Sequence, residues 1–132
     1  MIGALAGGGF ALLGSSFEGR RERAARRRDR RDGWADELTE QVVALHRAAV
    51  EAGEKRSDRG WRPTKYEGIC LRISALTGRI GDGRVRDATA EMLRRAEITG
   101  SVESIDELVA AEQELRESGE AVNAAVAALT EQ

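Results

Sequence analysis

KYEGICLRISALTGRI, residues 65–80, is the stretch of sequence that decides the fold. Its apolar residues recur at alternating steps of three and four, which places them along one face of a helix. They form a predicted helix–helix seam made of Tyr66, Ile69, Ile73, Leu76 and Ile80. Glu67 lies three residues after Thr64, which is the spacing of a capping box. The sequence therefore predicts a helix from Lys65 to about Arg79.

The chain on both sides of this seam is also predicted to be helical. Apolar residues at helical spacing predict further helices over Trp34–Lys55, Arg84–Glu97 and Ile105–Leu129. Asp82 is placed to cap the second of these, and the pair Ser104 and Glu107 forms a capping box for the last. No segment alternates as a strand would. The prediction is an all-α protein, with a three- to four-helix bundle or coiled-coil-like hairpin over residues 33–132.

The N-terminal segment, residues 1–17, carries no charge. It just reaches the ~17 apolar residues that a transmembrane helix needs. Small residues recur every four positions, and in a membrane helix they would form a packing stripe: Gly3, Gly7, Ala11 and Ser15. The sequence therefore predicts a membrane anchor at 1–17. A secretory signal peptide and a glycine-rich tail or buried apolar arm are the alternatives.

A basic segment, residues 18–32, follows this anchor and is predicted to be a juxtamembrane helix. It holds eight arginines, at Arg20, Arg21, Arg23, Arg26, Arg27, Arg28, Arg30 and Arg31. Because arginine resists translocation, the predicted location is the inner (cytoplasmic) membrane, spanned once, with the remainder of the chain in the cytoplasm. These side chains would contact anionic headgroups of the membrane. Nucleic acid is the alternative partner, since clustered arginines also neutralise phosphates.

Charge is divided unevenly along the 132 residues, although the net charge is only −2. Residues 18–32 carry eight arginines against four acids, whereas residues 33–132 carry thirteen basic against nineteen acidic groups. Such asymmetry indicates two surfaces with different partners. A core built mostly from alanine and other aliphatic residues would be thin, so a homo-oligomer or a helical protein partner is expected to complete it.

Few residues of the chain are candidates for catalysis or for binding a metal or cofactor. The chain has one histidine, His46, and one cysteine, Cys70. Neither has a metal-ligand or nucleophile–base pattern around it, so both are interpreted as packing residues. Gly81 and Gly83 do not form a phosphate loop, because they follow a predicted helix rather than a strand. We expect no cofactor, no metal and no catalytic activity.

Two stretches carry a resemblance to known proteins: RRERAARRRDRRD, residues 20–32, and RISALTGRIGDGRVRDATAEMLRRA, residues 72–96. In this outline the chain resembles small actinobacterial single-span membrane proteins with a cytoplasmic helical hairpin, and also plasmid spread proteins of the KilB type. The resemblance implies a short glycine- and alanine-rich span and cytoplasmic helices. It implies no particular activity.

Two functional hypotheses follow from these patterns. The first is a membrane-tethered helical interaction or scaffold protein, encoded by a phage or plasmid and acting in lysis, exclusion or transfer. The alternative is a soluble helical protein that binds nucleic acid or another anionic ligand through Arg20–Arg31.

Overall fold

The computed structural model describes residues 2–55 and 61–131, and side chains from residue 19 onward within these ranges. It contains four helices: α1 (Ile2–Glu54), α2 (Tyr66–Ile80), α3 (Gly83–Gly100) and α4 (Ile105–Thr130). The described residues contain no strand. The predicted all-α class and helical bundle are therefore confirmed. The chain divides into two units, Met1–Gly33 and Trp34–Gln132, called here the N-terminal and C-terminal units.

The predicted membrane-type helix at the N-terminus is not shown. Across the described part of the chain, no helix combines the length and apolar character needed to cross a bilayer. The predicted single-pass location in the inner membrane is therefore wrong. The physical reason lies in residues 2–17, where glycines and serines interrupt the leucines and phenylalanines and lower the mean hydropathy of an already short segment. The predicted packing stripe at Gly3, Gly7, Ala11 and Ser15 falls outside the described side chains.

The C-terminal unit is held together by an apolar core to which all four helices contribute. The largest side chains with almost no exposed surface are Leu38, Leu45, Ile73, Leu76, Met92 and Leu115. Burial of a leucine or isoleucine side chain stabilises a fold by ~1.5–3 kcal/mol, so these residues supply much of the driving force for folding.

Alanine and glycine let α1 and α4 approach each other closely. A Cβ built on Gly119 of α4 would lie 3.4 Å from Cγ1 of Val42 on α1, and one built on Gly53 of α1 would lie 2.5 Å from Cδ1 of Leu108 on α4. Between these levels, Nε2 of His46 lies 3.2 Å from Oε1 of Glu112. As the residue number rises along α1 it falls along α4, so the two helices run antiparallel.

A tight turn joins α2 to α3. Gly81 has φ +68°, a left-handed conformation that favours glycine, and its N–H donates to the carbonyl of Thr77. Asp82 then caps α3, since its carboxylate accepts hydrogen bonds from the N–H groups of Arg84 (2.9 Å) and Val85 (3.1 Å). The predicted Asp82 cap is confirmed.

The two predicted capping boxes have different outcomes. Ser104 accepts a hydrogen bond from the N–H of Glu107 at 3.1 Å, and the Glu107 carboxylate accepts one from the N–H of Glu103 at 3.0 Å. This confirms a capped start for α4. The box predicted at Thr64 is wrong, because α2 begins one residue later than predicted: Lys65 is its N-cap and makes no side-chain capping bond.

Candidate functional site

The arginine-rich segment, residues 18–32, holds eight of the chain's 21 lysines and arginines. It lies within the N-terminal unit and is helical throughout. Seven of its eight arginines are exposed, and Arg31 is partly exposed. Arginine and alanine both have high helix propensity, so this composition favours a helix even where no core supports it.

One ion pair within this segment is exposed and weak. Arg26 donates a 3.3 Å hydrogen bond to Glu22, with about two thirds of each side chain exposed. Such an exposed i,i+4 pair contributes only ~0.3–0.5 kcal/mol and is screened by salt. A polyanion can therefore compete for Arg26 at little cost.

The arginines and the acids of this segment occupy different faces of the helix. At 100° per residue, the eight arginines fall within an arc of about 220°. Glu22, Asp29 and Asp32 fall within a separate arc of about 80°. No acid lies among the arginines in this projection, so the larger arc carries basic side chains only.

A polar cluster in the C-terminal unit joins α2, α3 and the segment before α2. The hydroxyl of Tyr66 donates to Glu97 at 3.1 Å, and Arg62 donates to the same carboxylate at 3.3 Å. Burial raises the pKa of Tyr66 far above its ordinary value, with nearby Cys70 and Glu97 adding to the shift. Burial also raises the pKa of the Cys70 thiol. A raised thiol pKa disfavours the thiolate, so the cluster does not activate Cys70 as a nucleophile.

Two of the open grooves on the C-terminal unit are lined in part by α2. One, of about 570 Å³, is lined by residues that include Arg62, Tyr66, Cys70 and Glu97. The other, of about 450 Å³, lies between α2 and α3 beside Thr77. No group of three or more metal-ligating side chains occurs within residues 2–55 and 61–131.

His46 has a partner that its sequence position did not indicate. Its Nε2 faces Glu112, and Glu112 also accepts a 2.6 Å hydrogen bond from Arg116. Both His46 and Glu112 are mostly buried side chains at the α1–α4 packing edge. His46 and Arg116 together give the Glu112 carboxylate polar partners at the α1–α4 interface, which is a structural role.

The predicted helix–helix seam lies inside the C-terminal unit. All five of its members are buried in the core: Tyr66, Ile69, Ile73, Leu76 and Ile80. They pack against the chain's own helices. The exposed face of α2 carries Leu71 instead, of which 69% is exposed.

Comparison of the chain with protein-family models, with curated proteins and with solved structures found no match. The resemblance to small actinobacterial membrane proteins therefore stays a prediction.

Proposed function

We propose that this protein binds nucleic acid through phosphate contacts of the Arg20–Arg31 segment. The observation that carries the proposal is the exposed arc of arginines with the acids confined to the opposite face. Guanidinium groups pair bidentately with phosphate oxygens and stay charged at all physiological pH values. Over twelve residues the helix is ~17 Å long, which spans several phosphates of one strand.

The composition of the segment favours nucleic acid over a lipid surface. A helix that lies in a membrane interface needs leucine, phenylalanine or tryptophan on one face to enter the acyl region. Between Gly19 and Gly33 the only apolar residues are Ala24 and Ala25. Phosphate neutralisation needs no apolar face, so this helix fits a polyanion in water better than a bilayer.

The test is the salt dependence of binding to a DNA duplex, measured by fluorescence anisotropy with the full chain. Each phosphate contact contributes ~0.9 to the slope of log K against log salt. A triple variant, Arg26→Gln, Arg27→Gln and Arg28→Gln, should reduce this slope by about 2–3 and weaken binding at every salt concentration.

The matched control removes the same charge from the C-terminal unit. Arg79, Arg84 and Arg86 are all exposed, and the triple Gln variant there should leave affinity and slope close to those of the parent. If both triple variants weaken binding equally, or if the parent binds neither duplex nor single-stranded nucleic acid at 50 mM salt, the proposed function is wrong.

A further inference from the structure

The width of the arginine arc says which form of nucleic acid the segment fits, an inference that rests on the proposed function. In helical projection Arg21 and Arg28 lie on one flank, and Arg26 and Arg30 lie on the other. Arg28 and Arg30 point about 160° apart around the axis. The two flanks therefore face nearly opposite directions.

A flat or singly stranded partner cannot use both flanks. A helix lying on a surface presents a stripe of ~100° to it, so one flank would always face away. The two arginines on that flank would then add charge that contacts nothing. A partner with two phosphate-lined walls, by contrast, contacts both flanks at once.

We infer that the Arg20–Arg31 segment lies in the major groove of duplex DNA. That groove is ~12 Å wide and ~8.5 Å deep and admits an α-helix, with the phosphates of one strand on each wall. Arg21 and Arg28 face one wall, and Arg26 and Arg30 face the other. The acidic arc with Glu22 and Asp29 points out of the groove, where it meets no phosphate.

The same geometry predicts that the helix binds duplex DNA more tightly than duplex RNA. The major groove of an A-form RNA duplex is deep and too narrow for side chains to read. A helix that needs both walls therefore loses one set of contacts on RNA. We therefore expect a higher affinity for duplex DNA than for duplex RNA or single strands.

The experiment compares four probes with the full-length protein at one salt concentration: a 20-base-pair DNA duplex, the RNA duplex of the same sequence, the single DNA strand, and phosphatidylserine vesicles. The DNA duplex should bind at least tenfold more tightly than each of the other three. Flank variants are then tested on the duplex: Arg21→Gln with Arg28→Gln, and Arg26→Gln with Arg30→Gln.

Each flank pair should weaken duplex binding by about tenfold or more, and to a similar extent. Helix content measured by circular dichroism checks that both variants stay folded. If one double variant binds the duplex as tightly as the parent while the other no longer binds it, the helix contacts DNA through one flank only. The major-groove assignment is then overturned. If the protein binds the single strand or duplex RNA as tightly as it binds duplex DNA, the major-groove assignment is overturned, whereas the proposed function is not. Failure to bind any nucleic acid, or binding to vesicles alone, overturns both.

Discussion

Arg62 donates a 3.0 Å hydrogen bond from Nη1 to the backbone carbonyl of Gly100, 38 residues further along the chain. Its Nη2 also donates to Ser101 and to Glu97, at 3.2 and 3.3 Å. A cation at this position satisfies a carbonyl that the end of α3 leaves open and complements the negative end of the helix dipole. Arg62 therefore fixes the segment before α2 onto the end of α3.

Replacing Arg62 with Ala should lower the free energy of unfolding by about 1–3 kcal/mol, because charge-assisted hydrogen bonds to a mostly buried guanidinium are lost. Urea denaturation followed by circular dichroism measures this. Arg79→Ala is the control, since Arg79 is exposed on α2, and it should leave the midpoint nearly unchanged. Equal effects of the two substitutions would show that Arg62 acts only as a surface charge.

Two helical glycines should respond to alanine with opposite signs. A Cβ on Gly53 would lie 2.5 Å from Cδ1 of Leu108 and 2.7 Å from the carbonyl oxygen of Thr99, whereas a Cβ on Gly78 would meet nothing within 4 Å. Gly53→Ala should destabilise the protein by about 1–3 kcal/mol through overpacking. Gly78→Ala should stabilise it by about 0.5–1 kcal/mol through helix propensity.

Thermal unfolding of the two single variants checks this pair. A stabilising Gly53→Ala would mean that α1 and α4 can move apart freely at that level. A destabilising Gly78→Ala would mean that the exposed face of α2 is covered by something else.

Tyr66 is the only tyrosine in the chain, so its titration can be followed without ambiguity. Because burial raises its pKa, the phenol should ionise well above the ordinary value of ~10 in the native protein and near ~10 in urea. Absorbance at 295 nm against pH measures both. A native midpoint near the ordinary value would contradict the burial of the Tyr66 phenol.

The same shift predicts how stability depends on pH. The raised pKa favours the protonated phenol in the folded state, so its contribution is complete below the unfolded pKa of ~10 and is lost as pH rises further. Between pH 9 and pH 11 the parent should lose more stability than Tyr66→Phe, which has no phenol to ionise. Parallel losses in the two proteins would assign alkaline unfolding to other groups.

Local patterns were enough to predict most of the helical fold. Periodic apolar residues placed α2, α3 and α4 to within a few residues, and Asp82 and Ser104 marked two helix starts correctly. The cap at Thr64 failed because the chain closes a turn there instead, with the N–H of Tyr66 donating to the carbonyl of Pro63. The spacing of Thr64 and Glu67 alone does not distinguish a capping box from such a turn.

Features made by distant residues could not be predicted. The hydrogen bond from Arg62 to Gly100 and the pair His46–Glu112 join residues that lie far apart in sequence. No pattern of neighbouring residues predicts such contacts. The predicted membrane location is wrong for a different reason: the uncharged segment is short and contains glycines and serines, and no described helix is long and apolar enough to cross a membrane. The arginine segment itself was visible in the sequence, and its division into a basic and an acidic arc follows directly once a helix is established.

Every core residue that the structure describes belongs to the C-terminal unit, beginning with Ala35. Replacements between Arg20 and Asp32 therefore leave that core intact and carry little penalty in folding. Natural selection can then change the number and placement of the arginines, and with them the affinity proposed for nucleic acid, while the core residues stay the same.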